Sequence, residues 1–380
     1  MMDSYDCLVL GNGSAAAASA ALLAEGGRST LLLSCGKESP LREFDSLMPE
    51  TYWVLRRLGL LEAMRRGRFV SKQSVRFISS CGRDSQGFFF PDHDPRECAR
   101  TWQVERSEFG QLLRQNAEAK GVTCLEEARV REVRCDGDRP YGVVLQTAEG
   151  EHREIRFRVL LDGSGKQSPL LRALEIPVEE RPLRRVAVWG CYEGAELEAG
   201  EFAGGTVILH TRSRKSWFWF VPLAGGVTSI GVVGPREYLF QRNGTPAQVF
   251  EEELVRCPAL TERLLNARLA GPFQVARETE WLARRTAGQG WALVGDAFGA
   301  VDPIFFASTF LAMRSAELAA DAILAGFERN DLSAAQLGGW MPEFRAGVER
   351  LRRCGPVFNS ESFHLGDFLR DFPEHPRGWY

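Results

Sequence analysis

The chain has no dominant charge: 47 lysines and arginines face 50 aspartates and glutamates over 380 residues, a formal net charge of −3. That balance gives no electrostatic basis for binding nucleic acid. No run of eighteen apolar residues occurs, so no transmembrane helix is expected. An alanine-rich segment near the N-terminus has the look of a secretory signal, but Asp3 and Asp6 stand where a signal needs positive charge, and Gly11 and Gly13 break the apolar run. The nine cysteines (7, 35, 81, 98, 124, 135, 191, 257 and 354) are odd in number, scattered, and without a Cys-x-x-Cys pair. A disulfide framework and a metal site are therefore not expected, and reduced thiols in a cytoplasmic protein are. Repeats and low-complexity linkers are missing too. What remains, 44% apolar and 26% charged, is the composition of an ordinary globular enzyme. Its length exceeds what one hydrophobic core serves, which implies two interleaved lobes.

The opening stretch carries the first positive signal. Asp6-Cys7-Leu8-Val9-Leu10 feeds Gly11-Asn12-Gly13 and then Ser14, Ala15 and Ala16 at the head of an alanine-rich run to Ala24. This is the strand, tight turn and helix of a dinucleotide-binding unit. Gly11 lets the chain turn, Gly13 lets the backbone approach a pyrophosphate, and the helix start holds that anion by its N–H groups and dipole. Ala16 replaces the third glycine, which serves only close helix–strand packing. One expected part is missing: Thr30-Leu31-Leu32-Leu33 ends in Ser34, not in the acid that normally holds ribose hydroxyls. Ser34 offers one such hydrogen bond, and Arg42 stands near enough in sequence to compensate.

Farther along, strands and helices alternate. Residues 50–66 have helical apolar spacing, as do Val104 to Ala119 and the segment from Gly339 to Cys354. A strand-rich, aromatic block runs from Val186 to Val233. Two further apolar strands end in small-residue turns, Leu160-Leu161-Asp162-Gly163 and Trp291-Ala292-Leu293-Val294-Gly295-Asp296-Ala297. The second is expected to deliver the Asp296 carboxylate to a helix start. On alternate positions of a strand, Trp217 and Trp219 point the same way and can wall a dry pocket together, or fill a core.

Together these segments resemble the FAD-dependent halogenases and their group A flavin monooxygenase relatives, which are related to geranylgeranyl reductases. The resemblance covers residues 4 to 325. Arg42, Phe44, Asp45, Ser46 and Pro49 match the family's "Arg…Gly-Glu-Ser-Leu-x-Pro" segment with two changes, and Arg106 matches the arginine that opens the next FAD-contacting helix. Phe69-Val70-Ser71-Lys72-Gln73-Ser74-Val75-Arg76-Phe77 matches "Phe-x-x-Lys-x-Gly-x-x-Phe" apart from Ser74. Trp217-Phe218-Trp219-Phe220-Val221-Pro222 matches "Trp-x-Trp-x-Ile-Pro". The resemblance implies an α/β fold: a Rossmann-type FAD-binding domain (1–75, 100–175 and 275–330) interleaved with a β-sheet substrate domain (76–99 and 176–274), then a tail, 331–380, that packs over the pocket or on a partner.

It also implies roles. FAD contacts fall on Gly11, Gly13, Ser14, Ala15, Ala16, Ser34, Arg42, Asp45, Ser46, Arg106, Asp162, Gly163, Gly295, Asp296, Pro303, Ala307 and Ser308. The substrate pocket falls on Trp217, Trp219, Pro222 and Phe306. Lys72 is the candidate catalytic residue, an ammonium or amine that polarises or captures the hypohalous acid made when a flavin hydroperoxide meets halide; a compact charge whose pKa moves on burial suits that task. The alternative is a solvated lysine on a strand. Reduced FAD would come from a separate reductase. Where family halogenases have hydroxyls and a glycine after "Asp-Pro", this chain has Phe306, Ala307 and Ser308, so oxygen transfer competes with halogenation as the expected outcome. It also ends short of the usual halogenases, from which an open pocket for a bulky or protein-tethered aromatic is expected. Hydroxylation of a protein-bound tryptophan during maturation of a quinone cofactor, isoprenoid ene reduction, and flavin binding without turnover stay open as alternatives.

Overall fold

Leu8, Val9 and Leu10 are apolar in succession, the pattern of a strand covered on both faces. The computed structural model, which describes residues 3–34, 43–81, 87–126, 128–147, 150–241, 243–301 and 306–358, places them in the central strand Asp3–Leu10. That strand runs parallel to His152–Asp162 on one side and Thr30–Leu33 on the other. Trp291–Leu293 and Thr123–Leu125 extend the parallel sheet outward. The hairpin Arg129–Asp136 and Arg139–Gln146 joins it by antiparallel pairing, and Ala287–Gly288 pairs antiparallel with Trp291–Leu293, making eight strands among the described residues.

Helix Ser14–Glu25 is apolar on every side and buried from Ala15 to Leu23. Its small side chains let it pack between helices Ser308–Arg329 and Arg106–Ala119. Close approach is what the glycines beside it serve. A Cβ on Gly11, whose φ is +132°, would lie 2.7 Å from the Gly163 carbonyl oxygen.

A second sheet, of nine strands among the described residues, has Val178–Glu193 between Gln274–Ala283 and Val227–Pro235. Beyond Val227–Pro235 come Trp217–Pro222, Thr206–His210 and Ser74–Ile78, the last two parallel to each other. Alternation splits its residues cleanly. Phe218 and Phe220 pack with Ile230, Val232 and Phe250 on one face, while Trp217, Trp219 and Val221 cluster with Trp189 and Val233 on the other, against Phe44 and Phe306. A small third sheet, Phe44–Ser46, Thr101–Glu105 and Val70–Lys72, lies between the two lobes in sequence and carries the candidate lysine.

Several expected boundaries shift. The helix over 50–66 is two, Thr51–Arg57 and Leu61–Arg66, because Gly59 takes φ +77° and lets the Leu60 N–H reach back to the Leu55 carbonyl, closing the first helix. The expected helix from Val104 begins at Arg106, since Thr101–Glu105 pairs as a strand on both sides. Strand Gln274–Ala283 belongs to the second sheet, so the lobes interchange later than residue 275. In the tail, the helix spans Met341–Phe358. The aromatic residues expected to follow it, Phe363, Phe368, Phe372, Trp379 and Tyr380, lie outside the described residues. No helix among those described is long and apolar enough to cross a membrane.

Gly11 gives a direct test of this packing. Gly11→Ala must relieve both the unfavourable φ and the overlap with Gly163, and is expected to cost roughly 2–3 kcal/mol, read by urea unfolding. A variant as stable as the parent would show that the turn has room the structure denies.

Candidate functional site

The turn after the first strand, the loop after Asp162 and the start of helix Ser308–Arg329 meet around a cleft of about 740 Å³. Of the residues expected to touch a flavin, Gly11, Gly13, Ser14, Ala15, Ser34, Asp45, Arg106, Gly163, Asp296 and Ser308 line it. Helices Ser14–Glu25 and Ser308–Arg329 both bring their N-termini to this wall. Neither has a side-chain cap or an acidic residue in its first turn. Two uncapped positive helix ends aimed at one cleft suit a ligand with a pyrophosphate at one place and a second site of negative charge at another. A Cβ built on Gly13 meets nothing within 4 Å, so that position opens onto the space such a ligand would take. The residues present therefore fit FAD.

Other expected contacts are not on the cleft wall. Ala16 is fully buried and packs behind the turn, where a Cβ on Gly11 would come within 3.1 Å of it. Asp162 is likewise fully buried. Its carboxylate accepts from the Ser164 N–H (2.9 Å) and hydroxyl (2.5 Å), the Ser168 hydroxyl (2.6 Å) and the Leu170 N–H (3.3 Å). Burial raises this carboxyl and the hydrogen bonds oppose the rise. Its work is to shape the Gly163–Gly165 loop that does line the cleft. Gly295 has φ +54°, and a Cβ on it would lie 2.8 Å from the Ala15 methyl; Ala307 is buried at the cap of the long helix. Asp296 sits in a one-turn 3-10 segment, Gly295–Ala297, and the long helix starts only at Ser308. The expected carboxylate at a helix start is thus two separate features. Arg42 and Pro303 lie outside the described residues.

Charge on the cleft wall is organised by Arg106. Its guanidinium donates to both carboxylate oxygens of Asp45, at 3.0 Å each, and also pairs with Glu43. The two carboxylates hold it protonated. Asp296 is exposed to the cleft yet surrounded by protein; desolvation raises its carboxyl, Arg106 opposes this and Asp45 adds to it. Sequence reasoning missed Asn12, Arg114, Glu126 and Thr309, which also line the cleft. Glu126 follows the strand beside Thr30–Leu33 and pairs with Arg114 at 2.5 Å. The acid absent at Ser34 thus has a counterpart one strand over, visible only once the strand order is known.

Lys72 is 4% exposed, which overturns the solvated-strand alternative. Its Nζ donates to the Ser46 hydroxyl at 2.8 Å and the Leu47 carbonyl at 3.4 Å, and lies 5.4 Å from the centre of the Phe90 ring. Burial pulls its pKa down to about 7, with Glu50 acting weakly the other way. Ser46 is therefore a neighbour of the lysine and not part of the cleft wall. An amine poised between its two protonation states can act as a nucleophile at neutral pH.

The expected substrate residues gather on one face of the second sheet. Trp219 lies 5.9 Å from Phe44, 6.2 Å from Trp189 and 6.5 Å from Trp217, ring centre to ring centre, and Phe44 lies 5.9 Å from Phe306. All three tryptophans are more than nine-tenths buried, as is the strand through Pro222, so they back the cleft without lining it. Phe306 holds φ +54°, a conformation that favours glycine. The turn after the expected "Asp-Pro" segment thus carries its left-handed residue at Phe306, and not at Ser308 where the family glycine was aligned.

A family model described as tryptophan halogenase matches residues 91–354. The 1H-pyrrole-2-carbonyl-(peptidyl-carrier protein) brominase of Pseudoalteromonas luteoviolacea is 28% identical over 331 residues, 86% of this chain and 79% of its own. Among solved structures, the flavin-dependent brominase Bmp2 superposes with a TM-score of 0.85 at 25% identity, over 98% of this chain and 92% of that one. The myxobacterial chondrochloren halogenase CndH, described as an FAD-dependent halogenase, gives 0.82 at 27% identity over 92% and 81%.

Two outcomes follow from this geometry. Gly13→Val should fold, since nothing near it is displaced, yet purify without FAD where the parent holds about one equivalent; a full flavin spectrum in the variant would sink the pyrophosphate placement. Lys72→Met should raise stability by roughly 1–3 kcal/mol at pH 6 by removing a buried cation. Between the folded value of about 7 and the ordinary 10.5, the unfolded chain binds more protons, so parental stability climbs with pH across that window. The advantage of Lys72→Met should be largest below pH 7 and shrink toward pH 10.5, as measured by unfolding at a series of pH values. A variant less stable than the parent at pH 6 would mean the amine is hydrated.

Proposed function

The chain belongs to the tryptophan halogenase family and is an FAD-dependent enzyme, and from that premise we propose that it halogenates an electron-rich aromatic ring with Lys72 as its catalytic residue. When bound and reduced, FAD supplies the activation of O₂ that oxidises halide to hypohalous acid. Everything else falls to this chain. The Ser14 helix start receives the pyrophosphate, and Gly11 and Gly13 admit it. The Ser308 helix start favours negative charge on the reduced ring, and the Asp45–Arg106 pair and Glu126 flank the nucleotide. Reduction of FAD is assigned to a separate flavin reductase. The free thiols of the described cysteines accord with a cytoplasmic setting.

The observation that carries the reading is a buried amine hydrogen-bonded to Ser46, the residue after Asp45 of the cleft wall, where burial pulls its pKa down to about 7. Its lone pair attacks the halogen of hypohalous acid; an N–halogen bond forms, the O–halogen bond breaks, and hydroxide leaves with one amine proton as water. A carbon of the aromatic ring then attacks the halogen, the N–halogen pair returns to nitrogen, and the ring loses its proton. The named brominase relative acts on a pyrrole carried by a peptidyl-carrier protein, so the proposed substrate class includes a tethered ring as well as a free one. A second reading, hydroxylation of an aromatic that includes a protein-held tryptophan, is favoured by one feature: Phe306 and Ala307 replace the hydroxyls of the family turn.

Mass spectrometry separates the two. With reduced FAD, O₂ and bromide, a panel of free phenols, indoles and pyrroles and a carrier-tethered pyrrole should yield a product gaining bromine. Lys72→Ala should keep FAD and its reoxidation but lose at least about a hundredfold of brominated product. A product gaining only oxygen, or bromination untouched in Lys72→Ala, would overturn the halogenase reading.

A further inference from the structure

Lys72 is the end of a chain of hydrogen bonds, and the first member of that chain fixes the direction of all the others. Gln103 stands across from Ser46 in the small third sheet. Its Nε2 donates to the Gly204 carbonyl at 3.1 Å and to the Thr206 hydroxyl at 3.0 Å. A carbonyl only accepts, so the Gly204 contact decides which end of the amide is nitrogen. Gly204 cannot move away: it has φ +74°, and a Cβ on it would lie 2.2 Å from the carbonyl oxygen of Ser71 on the lysine strand. Thr206 is 1% exposed, and its other partner is the Ser46 hydroxyl at 3.0 Å, so its hydrogen goes to Ser46. Ser46 is fully buried, and among the described residues its one remaining partner is Lys72 Nζ. Where Lys72 is the neutral amine, the Ser46 hydrogen can point at the nitrogen lone pair, the reverse of the donation that an ammonium makes to Ser46. Against an ammonium the same hydrogen would be a buried donor without an acceptor.

We infer that Gln103 is a positioning residue which, through Thr206 and Ser46, sets a one-way hydroxyl relay that holds Lys72 as the neutral amine. Gln103 is itself 1% exposed and leaves its own Oε1 buried without a hydrogen-bond partner, so the amide is not placed to satisfy itself. Burial is the largest influence toward the neutral amine; the relay acts beside it, and the charges nearby do not mask it. Glu50, at the turn before Thr51–Arg57, is the charge that acts on the amine and favours the ammonium. Asp45, on the strand of Ser46, is engaged by Arg106, and Asp92 and His93 of the helix carrying Phe90 are exposed. The relay's value to catalysis rests on the reading of Lys72 as the group that captures halogen; its effect on the protonation of Lys72 does not.

The test reads that protonation directly. In the FAD-loaded full chain carrying lysine labelled with ¹³C at Cε, the Lys72 signal is assigned by its loss in Lys72→Met and followed against pH. Gln103→Leu removes the donor to Thr206, and Thr206→Val cuts the relay with a side chain of the same shape. Either should move the Lys72 titration upward and lower the neutral fraction at pH 7 roughly fivefold, about the effect of one hydrogen bond. Thr206→Ser, which restores the hydroxyl, should titrate as the parent does. The acid limb of the brominated-product pH profile should move with the signal, a change that mere loosening of the fold would not produce. If Lys72 titrates in Thr206→Val as in the parent, the relay is wrong, and that pair of Thr206 variants decides the matter should Gln103→Leu not fold. A shifted titration in a protein whose parent makes no brominated product would keep the relay and reject the halogenase reading.

Discussion

Two backbones that touch without side chains between them set the geometry of this molecule. Gly11 lies against the Gly163 carbonyl and Gly295 against the methyl of Ala15, so the turn after the first strand, the loop after His152–Asp162 and the turn after Trp291–Leu293 crowd around the head of one alanine-rich helix. Only small residues allow this, because a single added methyl would have to displace main chain, which close-packed interiors resist. The consequence is electrostatic. Crowding brings the N-termini of two helices to one wall, where their unsatisfied N–H groups make a site for an anion that neither would make alone.

Lys72 answers a different constraint, the cost of taking a charge out of water. Lowering a lysine from 10.5 to about 7 means the ammonium is disfavoured by on the order of 5 kcal/mol relative to water. A protein bearing such a penalty at a position of no use would gain by replacing the lysine with an apolar residue. The surroundings are arranged to keep the amine in place: one hydroxyl, one carbonyl and one aromatic ring, on a strand of three residues pinned between Thr101–Glu105 and the Gly204 backbone.

The sequence revealed elements by their periodicity and contacts by their motifs, and it failed where function depends on strand order. Asp3–Leu10, the alanine helix and the alternation of Trp217 and Trp219 were legible because each is a local pattern. The break at Gly59 was harder, since apolar spacing continues through it and only the φ of +77° reveals the turn. Asp162 looked like a ligand contact because it ends a strand at a glycine turn, yet its side chain points inward to four donors; a one-residue difference in facing is invisible in a motif. Glu126, Gln103 and Thr206 could not have been found at all, because each matters through a neighbour distant in sequence. Gln103 stands just before the helix expected from Val104, which in fact starts at Arg106, and belongs to no motif.

The aromatic face of the second sheet raises a difficulty that the proposed capture of halogen by Lys72 would resolve. Indoles are electron-rich, and free hypohalous acid diffusing from the cleft would meet Trp219 and then Trp189 across ring spacings of about 6 Å. Burial of all three tryptophans beyond nine-tenths slows this. Phe306 adds protection of its own: in a left-handed conformation that costs roughly 1–2 kcal/mol, its ring closes on Phe44 and screens the row of tryptophans from the turn. Under the proposed capture of halogen by Lys72, a residue at Phe306 that shields the tryptophans is compatible with halogen chemistry.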